Sequence, residues 1–424
     1  MENVYQMSGY TLHLIPTKKF KTMTISLRLQ SPLLKETTTI RTLLTFVLVA
    51  ATQEYPSPKT LATYLDENYG ASLSTHITTK GQSHIMNVTT SFINDTYLPS
   101  PEHLLEKQLQ LISDLFYRPC IHQDGFDETI VQLKKKEFKE KIQAHKDDKF
   151  SYSLDKLFEY MGRNQVLGIP STGYEEEIQD ITPQQLYQYM KKCIEEDEKH
   201  VYIVGDIPEN IVDVFDRLLK FPDGHHDYAS SYMFESPRPE VLEVIEKQDI
   251  TQSKLNLGYQ IQCDFQSPSH YAFTVFNAIF GGFSQSRLFK VVREENSLCY
   301  YVSSSYDAFN GMMIVNAGIE AKDYQKALDL IQQQLSDIQN GHLLEDEIHL
   351  AKMMLVNALK KTNDEAGSMI ALAYNRDITH KQETNEEYIE KLMNVTLEEI
   401  VEVTKKVKLD TIYFLTGKEL HESN

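Results

Sequence analysis

The sequence of 424 residues has few cysteines, few basic residues and no long hydrophobic run. Its four cysteines are scattered without a C-x-x-C pair, which excludes a disulfide framework and a zinc knuckle and is typical of reduced cytosolic thiols. The longest apolar run, residues 43–51 interrupted only by Thr45, is far shorter than the roughly 18–20 residues that span a bilayer. No basic segment followed by an apolar one opens the chain, so we expect a cytoplasmic protein without a secretory signal or a membrane partner.

The charge balance is strongly acidic. Lysine and arginine number 42 and aspartate and glutamate number 61, which gives a net charge of −19 with histidine neutral. This excess repels phosphate backbones and anionic lipids, so we expect no nucleic-acid partner. A composition of 41% hydrophobic and 24% charged residues is that of an ordinary globular protein, and the length predicts two or three domains.

The chain repeats itself at an interval close to half its length. Four pairs of segments match in the same order: 66–92 with 293–319, 126–137 with 344–355, 181–186 with 395–400, and the strand-like segments that end at Gly205 and Gly417. One such match could arise by chance, but four in order predict two homologous domains.

Each half alternates β-rich segments with long amphipathic helices. Strands are predicted at 11–16, 22–29, 83–92, 255–263 and 311–319, and helices at 101–116, 324–338 and in a short segment that begins with Ser57 as N-cap and Pro58. This order predicts an α+β fold in which helices pack on one face of a sheet. We place an N-terminal domain at 1–220, a C-terminal domain at 241–424, and between them a linker at 221–240, where Pro222, Gly224, Pro237 and Pro239 stand among polar residues.

Two segments resemble a known family. Residues 281–306 are similar to a stretch of the pitrilysin/insulinase family of inverzincin metallopeptidases; they read GGFSQSRLFKVVREENSLCYYVSSSY. Residues 167–186 are similar to the P-x-x-G connection of the same family. The resemblance extends to the small members whose subunit holds two homologous domains of the LuxS/processing-peptidase-like type. Among these it is similar to the zinc-less member of a bacterial pair associated with elongation factor P modification, a context that these residues do not support mechanistically.

The family's zinc motif, His-x-x-Glu-His, is missing. In active members its two histidines bind zinc and its glutamate is the general base. The equivalent window here, residues 45–49, reads Thr-Phe-Val-Leu-Val, which offers no imidazole or carboxylate. We therefore expect no metal, no cofactor and no catalytic residue in this chain alone, and a helix at 43–51 that is part of the core.

Relocated zinc ligands are not evident either, because none of the 14 histidines has another histidine four residues further on. The remaining candidates are interpreted as loop residues or as solvated helix faces: His225, His226 and Asp227 in the linker, His342 and His349 with Glu345 and Glu347 between them, and Glu137 and Glu140 near the position of the family's distal glutamate.

The resemblance extends to a second part of the family's machinery. The resemblance implies that Arg293 and Tyr300, seven residues apart, correspond to an arginine and a tyrosine that bind substrate and stabilise its oxyanion. Tyr301 is a competing candidate if the alignment slips by one residue. The structural alternative is that Arg293 pairs with Glu294 or Glu295 and that the tyrosine merely packs.

Three functions follow from these residues and the resemblance. The first is a non-catalytic subunit of a two-component zinc peptidase, which binds peptide substrate together with a homologous partner that carries the zinc, in a heterodimer or by self-association. The second is a scaffolding protein, like the core-type subunits of the respiratory chain. The third is an autonomous metallopeptidase with relocated ligands, for which the residues give little support.

Overall fold

The computed structural model describes residues 2–224 and 231–417. The central part of the predicted linker, with His225, His226 and Asp227, lies outside the described residues. The described parts of the linker, 221–224 and 231–240, contain neither helix nor strand.

The strands of the described chain are β1 Asn3–Met7, β2 Tyr10–Pro16, β3 Thr22–Pro32, β4 Ser72–Lys80, β5 Ser83–Ile93, β6 Ile121–His122, β7 Gly125–Phe126, β8 Glu198–Gly205, β9 Leu242–Lys247, β10 Ser253–Gln260, β11 Cys299–Asp307, β12 Met312–Ile319 and β13 Lys408–Thr416. The α-helices are α1 Lys35–Leu48, α2 Pro58–Glu67, α3 Leu104–Tyr117, α4 Glu128–Asp147, α5 Lys149–Met161, α6 Pro183–Glu196, α7 Ile211–Leu218, α8 His270–Asn277, α9 Tyr324–Gln339, α10 Glu345–Lys361, α11 Ala366–Ile378, α12 Asn385–Asn394 and α13 Leu397–Thr404. Within the described ranges, no helix has both the length and the apolar character needed to cross a bilayer.

The two large sheets share one topology, as the sequence repeat predicts. The first sheet has the order β1-β2-β8-β3-β5-β4 and the second has the order β9-β13-β10-β12-β11 when read in the same direction. In the first sheet β8 lies between β3, to which it is antiparallel, and β2, to which it is parallel. In the second sheet β13 lies in the same way between β10 and β9. The α+β fold with two homologous domains is therefore confirmed, and β1 is an additional edge strand of the first sheet.

The chain also divides into two compact units that are not simple halves of the sequence. Unit 1 contains residues 1–144, 170–229 and 362–375, and unit 2 contains 145–169, 230–361 and 376–424. In unit 2, α5 packs against β10 and β13, with Leu157 and Met161 buried beside Phe234 and Tyr413. The bounds 1–220 and 241–424 follow the repeat and stay a prediction.

The alternation of residues along β3 separates the two faces of the first sheet. Ile25, Leu27 and Leu29 are completely buried in a core that helices of the same unit complete. Ser26 and Arg28 lie on the opposite face, because successive residues of a strand point to opposite sides. The helices thus cover one face, while polar residues are concentrated on the other.

Helix starts follow the capping signals of the sequence. Ser57 caps α2 in a capping box with Thr60, as predicted. The repeated segments 181–186 and 395–400 both open a helix with a capping box, which Thr182 forms with Gln185 and Thr396 forms with Glu399. Each box satisfies two backbone N–H groups that have no partner within the helix, so the two matching segments make the same local structure.

A buried ion pair ties α1 to its neighbours. The Arg41 guanidinium is inaccessible to solvent and donates through Nη2 to Asp197 Oδ2 and to the Leu29 carbonyl oxygen, both at 2.7 Å. Its Nη1 lies 3.3 Å from the Cys193 sulfur. One side chain of α1 therefore contacts β3, the end of α6 and the residue that follows α6.

Loss of one partner of this pair should destabilise the protein. We expect Asp197→Leu to lower the free energy of unfolding by about 3–5 kcal/mol, since it leaves a buried guanidinium without its counter-charge. The double variant Arg41→Met/Asp197→Leu should recover much of this loss. Urea denaturation measures both, and equal stability of the single and double variants would contradict the assignment.

Candidate functional site

The position of the family's zinc motif lies at the C-terminal end of α1. Thr45 is buried and its hydroxyl donates to the Thr42 carbonyl oxygen at 2.7 Å. Leu48 is buried in the core, and Val49 is the half-buried C-cap residue. Aliphatic side chains and a hydroxyl that is already hydrogen-bonded do not fit Zn²⁺, which takes imidazole, thiolate or carboxylate ligands.

Aromatic packing occupies the neighbouring surface of α1. The Phe46 ring lies 5.1 Å from that of Phe138 on α4, and the Lys141 ammonium lies 5.3 Å from the Phe46 ring centre. On the same helix Glu137 pairs with Lys134 at 2.7 Å and Glu140 pairs with Lys136 at 3.8 Å. These two glutamates belong to i,i+3 and i,i+4 ion pairs along α4.

Among the residues that the structure describes, no alternative ligand set lies at this helix. In the portion of the chain that the structure describes, no group of three His, Cys, Asp or Glu side chains near residues 45–49 is close enough to share an ion. The His342 side chain is 71% exposed, and its Nδ1 lies 3.7 Å from Asp337 Oδ1. His349 is exposed on α10. Neither is part of a metal-binding cluster in the described chain.

The P-x-x-G connection holds the first turns of α1 in place. The Tyr174 N–H donates to the Thr39 hydroxyl at 2.9 Å, and that hydroxyl donates to Glu177 at 2.5 Å. His84 on β5 lies with Nε2 2.9 Å from the Ser171 carbonyl oxygen. Burial, and secondarily the charge of Arg41, lowers the pKa of His84 to about 3, so this imidazole is a neutral donor.

In the second half, the SRLF motif is structural. Arg287 donates through Nε and Nη2 to the two carboxylate oxygens of Glu347 at 2.9 and 2.8 Å. Leu288 is completely buried. Gly281, five residues before this motif, is required by the close approach of β11, because a Cβ atom there would lie 2.6 Å from the Ser304 nitrogen. These contacts fix the segment that leads to Arg293.

Arg293 lies in a π-helical turn, Phe289–Glu295, and is partly exposed. Its guanidinium carbon is 4.6 Å from the centre of the Phe289 ring, and its Nε is 3.7 Å from Glu294. The contact with Glu294 is long, and both side chains are exposed, so it holds the guanidinium weakly. Burial raises the pKa of Cys299 to about 11, and the positive charge of Arg293 opposes this rise. The Arg293 side chain is therefore near Cys299, the first residue of β11.

Tyr300 and Tyr301 have opposite environments. β11 is the edge strand of its sheet, and its register with β12 shifts between Cys299 and Tyr301, so Tyr300 lies in an irregularity of the edge. Tyr300 is 73% exposed. Tyr301 lies over Gly318, where an added Cβ atom would be 2.4 Å from the Tyr301 ring, and Lys254 is 5.4 Å from its ring centre. Tyr301 is therefore a packing residue, and Tyr300 is the tyrosine accessible to a ligand.

Comparisons with known proteins identify relatives of the whole chain. The family model described as "Peptidase M16 inactive domain" matches residues 180–355. The chain is 35% identical to the "Probable inactive metalloprotease YmfF" of Bacillus subtilis (strain 168), across 97% of this chain and 96% of that protein. The chain belongs to the M16 peptidase family. The resemblance to pitrilysin and insulinase inferred from the two motifs is thereby confirmed.

Two further relatives extend this result. The "Uncharacterized zinc protease YmxG" of the same Bacillus strain is 24% identical over 69% of this chain and 70% of its own. A conserved protein from Enterococcus faecalis V583 has a crystal structure with a TM-score of 0.90 and 32% identity, over 99% of this chain and 100% of that one. Together with the apolar end of α1, the similarity to inactive family members supports a metalloprotease-like protein with a non-catalytic role.

Restoring the zinc motif should cost stability rather than create a peptidase. In the triple variant Thr45→His/Leu48→Glu/Val49→His, the carboxylate at position 48 would replace a buried leucine without a counter-charge. We expect the free energy of unfolding to fall by at least about 3 kcal/mol. Thermal melting compares it with Val49→His alone, which changes a half-buried position and should lose less. An unchanged melting temperature, or peptide cleavage sensitive to chelators, would contradict the buried role of α1.

Proposed function

We propose that this M16 protein is the non-catalytic subunit of a two-component zinc peptidase, and that Arg293 and Tyr300 bind peptide substrate beside a homologous, zinc-bearing partner. The observation that carries the proposal is the contrast between the two candidate positions. The zinc-motif residues are hydrogen-bonded or apolar and lie in or at the edge of the core, while Tyr300 is 73% exposed at a sheet edge and the Arg293 side chain is 42% exposed.

The chemistry of these two side chains suits substrate binding. A guanidinium is always charged and presents several N–H donors, and a phenol adds one O–H donor. Both can donate to a peptide carbonyl oxygen that acquires negative charge during hydrolysis. Neither can activate water in the absence of a metal or a general base. We therefore assign to this chain substrate binding and positioning, and to the partner the zinc ion and the bond cleavage.

The relatives support a partnership of this kind. Bacillus subtilis contains both a full-length relative named as inactive and a more distant relative named as a zinc protease. A scaffolding role on the same fold is the second candidate, and it predicts that substitution of Arg293 and Tyr300 has no effect on any activity of a partner.

Mixing the purified chain with a zinc-bearing M16 homologue from the same genome should raise the rate of peptide cleavage above that of the homologue alone. Arg293→Ala should abolish this gain, and Tyr300→Phe should reduce it about 10-fold or more, since a single donor to a developing oxyanion contributes about 10²–10³-fold in well-studied enzymes. Cleavage of a fluorogenic peptide measures the rate, and analytical ultracentrifugation checks that association is retained.

Two neighbouring variants are matched controls. Lys290→Ala removes an exposed cation from the same π-helical turn, and Tyr301→Phe removes the hydroxyl of the packed tyrosine. Both should leave the gain in rate unchanged. If the wild-type chain gives no gain, the proposal fails; if the gain survives Arg293→Ala and Tyr300→Phe, the scaffolding role replaces it.

A further inference from the structure

An open groove lies between the first turns of α1 and helix α6. Its volume is about 670 Å³, and proteins commonly bind ligands in clefts of about 300–1,000 Å³. All of the residues that line it belong to unit 1. The groove is therefore formed by one compact unit, and it is separate from the segment that carries Arg293 and Tyr300.

Helical spacing brings the lining side chains together. Glu36, Thr39 and Ile40 are three and four residues apart, so they lie on one face of α1. Residues of α6 with similar spacing, among them Tyr189 and Lys192, line the groove from the other helix. The 3₁₀ turn that precedes α6 packs against α1 and contributes the carboxylates described below.

Apolar side chains form part of the groove surface. Ile181 is buried, and Ile40 and Tyr189 are half-buried, so each presents carbon atoms at this surface. Burial raises the pKa of Tyr189 in spite of the nearby charge of Arg41, so the phenol is neutral at physiological pH. These side chains suit the alkyl part of a ligand.

Three carboxylates stand around this apolar surface. Glu36 and Asp180 are exposed, and Glu177 is half-buried and accepts a hydrogen bond from the Thr39 hydroxyl at 2.5 Å. Among the described residues none of the three carboxylates is in an ion pair with a basic side chain. The cation that lines the groove, Lys192, has its own partner in Glu196 at 3.6 Å.

The helix ends do not cancel this negative charge. Both α1 and α6 begin at the groove, and the N-terminal end of a helix carries a partial charge of roughly +0.5. Two such ends supply roughly one positive charge, which three carboxylates exceed. The groove therefore favours a ligand that combines a cationic group with an apolar stem.

We propose that this groove binds an arginine-containing segment of a partner protein. The methylene stem of arginine packs on the apolar surface, and its guanidinium donates to the carboxylates of Glu177 and Asp180. Arginine fits better than lysine, because its planar fork of N–H groups can engage carboxylates in pairs. This inference goes beyond the proposed function, since it requires neither zinc nor a homologous subunit.

The test is peptide binding by the full chain alone, measured by fluorescence anisotropy. The probe is a labelled peptide with one arginine between leucines, and its counterpart carries citrulline, which has a similar shape without the charge. The citrulline peptide should bind at least about 10-fold more weakly, and so should the arginine peptide to Glu177→Gln or Asp180→Asn, since each change removes a charge-assisted hydrogen bond. High salt should weaken binding of the arginine peptide to the wild-type chain.

Two exposed glutamates supply the matched controls. Glu176→Gln removes a carboxylate of the same 3₁₀ turn, and Glu195→Gln removes one of α6, and neither residue lines the groove. Both variants should bind the arginine peptide within about 2-fold of the wild-type affinity, because exposed charges outside the groove are screened. Glutamine at position 177 keeps an oxygen that can accept from Thr39, and thermal melting verifies that each variant folds.

A measurement on the wild-type chain covers the case in which a variant does not fold. A photoreactive group beside the arginine should cross-link to residues 36–40 or 177–192, as mass spectrometry would show. Equal binding of the citrulline peptide, or unchanged binding by folded Glu177→Gln and Asp180→Asn, would overturn the inference. Binding that is lost only in Arg293→Ala would place the peptide at the other site and leave the proposed function intact. Self-association of the chain that Glu177→Gln abolishes would assign the groove to a second copy instead.

Discussion

Burial of helix α1 is the constraint on which the first domain depends. The helix packs against strands β4 and β5, and Arg41 joins it to the Leu29 carbonyl oxygen by a hydrogen bond and to Asp197 by an ion pair, both inaccessible to solvent. A helix held in this way cannot present a row of solvated metal ligands at the same positions without disrupting the core. The same residues, 45–49, thus account both for the apolar end of α1 and for the absence of the zinc motif.

The second domain has kept a different balance between packing and exposure. Arg287, Leu288 and Gly281 all make structural contacts that fix the segment before the π-helical turn. Arg293 and Tyr300 follow this segment and remain accessible. Binding groups are most effective when the residues around them hold them in place. A motif made mostly of structural residues can therefore still bind a ligand through two accessible side chains.

Much of this architecture could be predicted from the sequence because it depends on local signals. Capping residues such as Thr182 and Thr396 mark helix starts within a few residues, and the sequence repeat specified two domains with the same sheet order. The ambiguity between Tyr300 and Tyr301 could not be resolved in this way. It depends on the irregular register at the start of β11 and on Gly318 of the adjacent strand, which the sequence does not pair.

Two buried histidines, His13 on β2 and His200 on β8, show the same limit more strongly. They are 187 residues apart in the sequence, so no local pattern indicates that they meet. The parallel pairing of β2 with β8 brings the two imidazoles together. A strand that contributes alternate residues to two faces can thus place apolar side chains in a core on one side and buried polar side chains on the other, as Leu12 and His13 do on β2.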